Sequence, residues 1–294
     1  MSRVDSALRE WEASAGGNRS HTEAVRASGR TSLADYPRET ETSPDSELPT
    51  ERPGADITRA NKPIERHLHA DPKREARLVT GRVSAVSLEQ YRRLAAALHD
   101  AQIAQGLKAV MLTSARPGEG KTLTTVNLAL TLSESYARRV LIIDADLRWP
   151  SVHSLLDVTN THGLRDWLAN GHHDPPFVEV TERLSVLTAG QPGEAALAGL
   201  SSPRMKSLLE ECAGRFDWVL LDTPPVGVLP DAQLLARLTG AVILVVAAGE
   251  TPAAVVARTI AELGEECVMG TVLNRVETHV ISEADYYDRY KSTP

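Results

Sequence analysis

The chain has few cysteines, no long apolar run and no surplus of positive charge, and each shortage removes a class of function. Only two cysteines occur in 294 residues, Cys212 and Cys267, neither in a metal-binding spacing. A disulfide framework and a zinc site are therefore not expected, and a reducing compartment is. No stretch approaches the roughly 18 consecutive apolar residues of a membrane span. The amino-terminal "MSRVDSALREWEASAGG" lacks the apolar centre of a secretion signal, and "MSRVDS" carries no lipidation motif. A formal net charge of −7 disfavours broad electrostatic attachment to nucleic acid or to an anionic bilayer. These shortages predict a cytoplasmic protein that binds no nucleic acid, does not insert into a membrane, and reaches one only through a partner.

What the chain does contain is enough hydrophobic residue, 42%, for one sizeable α/β core with a tail left over. Residues 1–80 are rich in Ser, Thr, Glu, Arg and Pro and poor in periodic apolar residues, which predicts a disordered polar tail. In "SLEQYRRLAAALHDAQ", Ser87 and Gln90 are spaced as a capping box, and Leu88, Tyr91, Leu94 and Leu98 recur at helical spacing. That pattern predicts an amphipathic docking helix over 81–106. Beyond it, "VLIID", "WVLLD", "AVILVVAA" and "VMGTVLN" are continuous apolar runs with helical stretches between them. Such strands belong to a mainly parallel, doubly wound sheet covered on both faces, predicted here over 107–285, with 286–294 as a separate tail.

The most informative stretch is "SARPGEGKTLTT", residues 114–125, between the apolar strand "KAVMLTS" and the helical "TLTTVNLALTLSESYA". Its spacing from Ala115 is [AG]-x4-G-K-[ST], a phosphate loop. Gly118 and Gly120 let the backbone wrap a polyphosphate, Lys121 reaches the outer phosphates, and the Thr122 hydroxyl is placed to ligate Mg²⁺. Asp144 and Asp146 follow the run "VLIID" at i and i+2, which sends both carboxylates toward the ligand-binding crevice at the carboxyl ends of the strands. One of the two holds metal and the other orients or deprotonates an attacking hydroxyl, although either, Asp146 above all, is also placed to cap the next helix. Asp222 ends a third apolar run and is predicted to hold Mg²⁺. The final nine residues, "YYDRYKSTP", hold three of the six tyrosines, Tyr286, Tyr287 and Tyr290, in a polar setting that suits phosphate acceptors better than core residues.

Taken together, "SARPGEGKT", "VLIIDADLRWPSVH", "LLDTPPV" and "GTVLNRV" resemble the bacterial tyrosine kinases of capsule and exopolysaccharide synthesis, over about residues 85–290. The resemblance implies a P-loop NTPase fold, Mg²⁺ and ATP as cofactors, and nucleotide contacts from Gly118, Glu119, Gly120, Lys121, Thr122 and Leu123. It implies catalytic roles for Lys121, Asp144 and Asp146, metal ligation by Thr122, Asp144 and Asp222, and adenine recognition at Asn274. Autophosphorylation of the tyrosine tail, homo-oligomerisation and a membrane-spanning activator of the chain-length or co-polymerase type are also implied. A different class with the same phosphate grip is a nucleotide-switched regulatory ATPase that acts by changing partners without tyrosine phosphorylation. Two places depart from related patterns: the family's interface helix reads E-x-x-R-x-x-R, whereas Glu89 and Arg92 are followed here by Ala95, and Arg116 and Pro117 stand where partitioning ATPases carry a lysine and a glycine.

Overall fold

The computed structural model describes residues 77–81, 83–170, 174–191, 199–227 and 231–276. Most of the predicted polar tail, and the tail tyrosines Tyr286, Tyr287 and Tyr290, lie outside these residues. In chain order the strands are β1 (Ala109–Ser114), β2 (Val140–Asp144), β3 (Val178–Thr181), β4 (Leu184–Leu187), β5 (Trp218–Asp222), β6 (Val242–Ala247) and β7 (Val268–Asn274). The helices are α1 (Ala85–Gln105), α2 (Lys121–Glu134), α3 (Val152–Leu156), α4 (Leu164–Asn170), α5 (Pro203–Arg215), α6 (Asp231–Thr239) and α7 (Ala253–Leu263).

The strands form one seven-stranded sheet in the order β3-β4-β2-β5-β1-β6-β7. Every neighbouring pair is parallel except β3 with β4. Strands β2, β5 and β6 are buried at every residue, which is why their sequences read as unbroken Val, Ile, Leu and Trp rather than as alternation. Successive residues nevertheless serve opposite faces. Leu141, Ile143, Val219 and Leu221 pack with Met205, Leu208 and Leu235 of α5 and α6, whereas Val140, Ile142, Trp218 and Leu220 pack with Leu98, Val126 and Leu130 of α1 and α2. The doubly wound, mainly parallel sheet expected from the sequence is the one found, with the β3–β4 hairpin added at one edge.

Helix α1 starts earlier than the capping box at Ser87 suggests. Ser84 is the N-cap, its hydroxyl accepting from the Ser87 backbone N–H at 3.1 Å, so Ser87 lies in the first turn and caps nothing. Order also begins before residue 81. Leu78 is fully buried, and the buried Asn127 of α2 treats the incoming chain as a strand would, donating to the Arg77 carbonyl (3.0 Å) and accepting from the Val79 N–H (2.9 Å). On the exposed side of α1, Glu89 pairs loosely with Arg92 (3.9 Å) and Arg93 (3.8 Å). Ala95, where the family's helix carries a second arginine, is fully buried, and an arginine there would bring an unpaired guanidinium into the core.

Candidate active site

The parallel register brings the site together. It pairs Asp144 with Asp222 across β2 and β5, and Leu112 with Asp222 across β1 and β5, so the phosphate loop leaving β1 passes beside two strand-end carboxylates. Gly118 and Gly120 adopt left-handed φ of 82° and 95°, which L side chains rarely take. At Gly120 space adds to the constraint, because a Cβ there would lie 2.0 Å from the Asn274 amide nitrogen.

A loop whose N–H groups face a phosphate must send its carbonyls outward, and these require partners. Asn274, at the end of β7, donates its amide to the Glu119 carbonyl at 2.8 Å. Arg275 donates to the Gly118 carbonyl and grips both carboxylate oxygens of Glu250 at 2.9 and 2.8 Å. Its backbone has the positive φ of 60°, strain held at a functional loop. The Glu119 side chain, only 3% exposed, turns back into the protein. It accepts from the Arg116 N–H (2.7 Å), the Ala247 N–H (3.4 Å) and the Thr251 hydroxyl. The loop is thus tied from outside to the ends of β6 and β7. Asn274, expected at the adenine, has its amide nitrogen on the phosphate loop.

The pairings of Arg275, Glu250 and Thr251 carry no signature in the sequence, although Arg275 lies within "GTVLNRV", because they span 25 residues or more. Arg275→Ala is expected to raise KM for ATP about fivefold, the scale of one partly exposed charge-assisted hydrogen bond, with kcat and melting temperature little changed. Steady-state kinetics with thermal melts check it, and an unchanged KM removes the strap from the site.

At the start of α2 the Lys121 ammonium is nearly buried and lies 2.8 Å from Asp146 Oδ2 and 4.0 Å from Asp222 Oδ2. Burial alone would lower its pKa, but Asp222, Asp146 and Asp144 together outweigh that and raise it above the ordinary lysine value. Asp222 is fully buried, its Oδ1 accepting from the Thr125 hydroxyl at 3.4 Å, and its Oδ2 has no hydrogen-bond partner. Burial pushes its pKa up to about 6, against the lowering effect of Lys121. The Thr122 hydroxyl accepts from Ser151 at 3.1 Å, a neighbour without a signature in the sequence.

The two acids at i and i+2 divide their work in a way opposite to the capping expectation. Asp144 is the cap: Oδ2 accepts from the Ser151 (3.2 Å) and Val152 (3.1 Å) N–H groups at the start of α3, and Oδ1 from the Asp146 N–H (3.2 Å). Its pKa is raised well above the carboxylate range, first by burial and then by the charge of Asp222. Asp146 instead holds Lys121 and, through Oδ1, the Trp149 N–H at 3.1 Å. The reversal has a simple cause, since the turn from Asp146 to Ser151 folds the helix start back over the end of β2. Asp144→Asn, which puts an amide donor against backbone donors, is expected to cost about 1–3 kcal/mol of stability. Urea unfolding measures it, and a neutral result would show that the cap contributes nothing.

Three carboxylates surround one ammonium, so a polyphosphate entering alone would meet net negative charge. A divalent cation resolves that conflict, and the orphaned Asp222 Oδ2 and the Thr122 hydroxyl are the oxygens placed for it. Among the described residues no group of three or more His, Cys, Asp or Glu side chains is arranged to hold a metal by itself. Mg²⁺ keeps waters and takes ligands from substrate phosphates as well as from the protein.

A parallel sheet, a glycine loop opening a helix and acids at the neighbouring strand ends define a P-loop NTPase, a nucleotide-binding class. Residues 107–281 match the ParA-type family model described as an iron-transfer P-loop NTPase. The chain is 35% identical over 209 residues to the tyrosine-protein kinase YwqD of Bacillus subtilis, an alignment covering 69% of this chain and 87% of that one. The solved kinase domain of the Escherichia coli tyrosine kinase ETK superposes with a TM-score of 0.59 at 32% identity, over 65% of this chain and 78% of that domain. The solved chimerical protein CapA2B2 does so with a TM-score of 0.61 at 28% identity, over 66% and 86%. The chain is a P-loop NTPase that belongs to the bacterial tyrosine-kinase family. It spans only 27% of full-length Escherichia coli Etk.

Proposed function

We propose that the chain is a Mg²⁺- and ATP-dependent protein-tyrosine kinase that phosphorylates its own carboxyl-terminal tyrosines, Tyr286, Tyr287 and Tyr290, and so regulates polymerisation or export of an extracellular polysaccharide. The observation that carries this reading is the buried convergence of Lys121, Asp146 and Asp222 at the end of the phosphate loop. Family membership adds the tyrosine as acceptor.

On this reading the phosphate loop N–H groups and Lys121 bind the β- and γ-phosphates, with Thr122 and Asp222 holding Mg²⁺, which neutralises charge on the phosphates. Phosphate draws Lys121 away from Asp146 and leaves that carboxylate free. Asp146 accepts the proton of the tyrosine hydroxyl, the phenolic oxygen bonds to the γ-phosphorus, the bond from that phosphorus to the bridging oxygen breaks, and ADP leaves with the electron pair. Asp144, with its oxygens taken up by three backbone N–H groups, positions the turn that carries Asp146.

Among the described residues no helix is long and apolar enough to cross a membrane. Membership of the bacterial tyrosine-kinase family supports a membrane-spanning activator of the co-polymerase type, which would hold this chain, as a homo-oligomer, at the inner face. The fusion of two named components in the CapA2B2 chimera supports such a pairing. The test is intact mass before and after phosphatase, followed by peptide mapping. Phosphate on Tyr286, Tyr287 or Tyr290 that appears with ATP is the expected result. Phosphate confined to serines, or absent after incubation with Mg²⁺ and ATP, would replace this reading with that of a nucleotide-switched binding protein.

A further inference from the structure

A serine at the start of a helix ordinarily spends its hydroxyl on the N–H groups of the first turn. Ser151 stands at that position before α3 and makes no such bond. The capping is done instead by Asp144, whose Oδ2 accepts from the Ser151 and Val152 N–H groups at 3.2 and 3.1 Å. The serine hydroxyl is thereby left for another use, and it donates to Thr122 Oγ1 at 3.1 Å, across 29 residues of sequence.

Thr122 also differs from the threonines that follow it. A threonine inside a helix readily turns its hydroxyl back to the carbonyl four residues earlier. In α2, Thr125 does so to Lys121 (2.9 Å) and Thr131 to Asn127 (2.8 Å). The Thr122 oxygen meets side chains: the Ser151 hydroxyl and, at 3.5 Å, the Lys121 ammonium.

We propose that Ser151 is the positioning residue for the metal-binding oxygen of this site, holding the Thr122 hydroxyl so that it presents a lone pair to a divalent cation; the proposal rests on the reading above in which Thr122 and Asp222 hold Mg²⁺. The direction of the bond makes this possible. Ser151 is the donor, so the Thr122 oxygen gives one lone pair to it and keeps the other. Without nucleotide that second lone pair meets the Lys121 ammonium, and a phosphate that draws Lys121 away frees it for a cation. An untethered threonine hydroxyl divides between two rotamers in a helix, and the bond from Ser151 selects one of them. Because Ser151 closes the turn that carries Asp146, the same bond ties the oxygen assigned to the metal to the segment bearing the carboxylate assigned to the proton.

Ser151→Ala removes this bond and little else, since the bonds to Asp144 are made by backbone N–H groups. The affinity of the full chain for a fluorescent ADP analogue is measured across a Mg²⁺ series and in EDTA. In Ser151→Ala the Mg²⁺ concentration that gives half of the gain in affinity is expected to rise about tenfold, the lower end of what losing a metal ligand's hydrogen-bond partner costs. Affinity in EDTA and the nucleotide-free melting temperature should match the parent. Ser151→Thr, which keeps a hydroxyl, should restore the parent's Mg²⁺ dependence to within about twofold. An unchanged Mg²⁺ series in Ser151→Ala overturns the role of Ser151, as does failure of Ser151→Thr to restore it. An equal loss of affinity in EDTA also overturns it, by making the residue a support of the phosphate loop alone. A parent whose affinity is the same in Mg²⁺ and in EDTA overturns the assignment of the metal to Thr122 and Asp222, and this role with it.

Discussion

Lys121→Ala is expected to lower phosphoryl transfer at least about a hundredfold, because the side chain lost is the nearly buried cation that meets the charge developing on the transferring phosphate. The fold should remain, since Lys121 opens α2 while the core of that helix is carried by Val126, Leu128 and Leu130. The pH dependence of its stability should widen. Lys121 lies 4.0 Å from Asp222 and lowers the pKa of that buried carboxyl, so its removal raises the pH at which Asp222 ionises. A carboxyl whose folded pKa exceeds its unfolded pKa binds its proton more tightly in the native state, so stability falls as pH rises between the two values. For Asp222 in the parent, with a folded value of about 6 against an ordinary 3.8, that loss runs from about pH 4 to pH 6 and then levels off. In Lys121→Ala the falling portion should extend to higher pH. Labelled-ATP transfer and nucleotide-free melting curves across pH check both parts, and transfer at the parent rate by the folded variant would move the phosphate site elsewhere.

Asp222→Asn is expected to be equally damaging to turnover and opposite in its effect on the empty protein. The substitution keeps shape and removes the charge at Oδ2, the buried oxygen without a hydrogen-bond partner, so Mg²⁺-dependent transfer should fall at least about a hundredfold. In nucleotide-free protein the same change removes a carboxylate that burial disfavours, and the decline in stability between about pH 4 and pH 6 should flatten. Above pH 6 the variant should melt no lower than the parent. A variant that melts lower and turns over normally would make Asp222 a structural acid and nothing more.

The parts of this architecture that could be read in the sequence are those set by local chemistry. The phosphate loop is legible because glycine, lysine and threonine at that spacing leave few other uses, and the buried strands because unbroken apolar runs such as "VLIID" and "WVLLD" suit a covered parallel sheet. The division of labour between Asp144 and Asp146 is not legible. Both are acids past a strand end, and the path of the Asp146–Ser151 turn decides which one meets the N–H groups of α3. The β3–β4 hairpin is hidden by its four-residue strands and the partial exposure of β3. Ser84 and Ser87 are equivalent in type and three residues apart, so local pattern does not tell which of them caps α1. Arg275 and Glu250 meet only because β6 and β7 align, and Asn127 docks residues 77–79 through contacts of 48 and 50 residues' separation, distances over which no local pattern informs.

The ion pair between Lys121 and Asp146 also has a kinetic meaning. On the proposal that Asp146 is the proton acceptor, the empty centre keeps that carboxylate engaged at 2.8 Å from the ammonium. A phosphate that shares the three donors of Lys121 loosens this grip, so nucleotide would arm the base as well as supply the group transferred. The same pair, closed again once ADP has left, would deny a base to water in the empty centre.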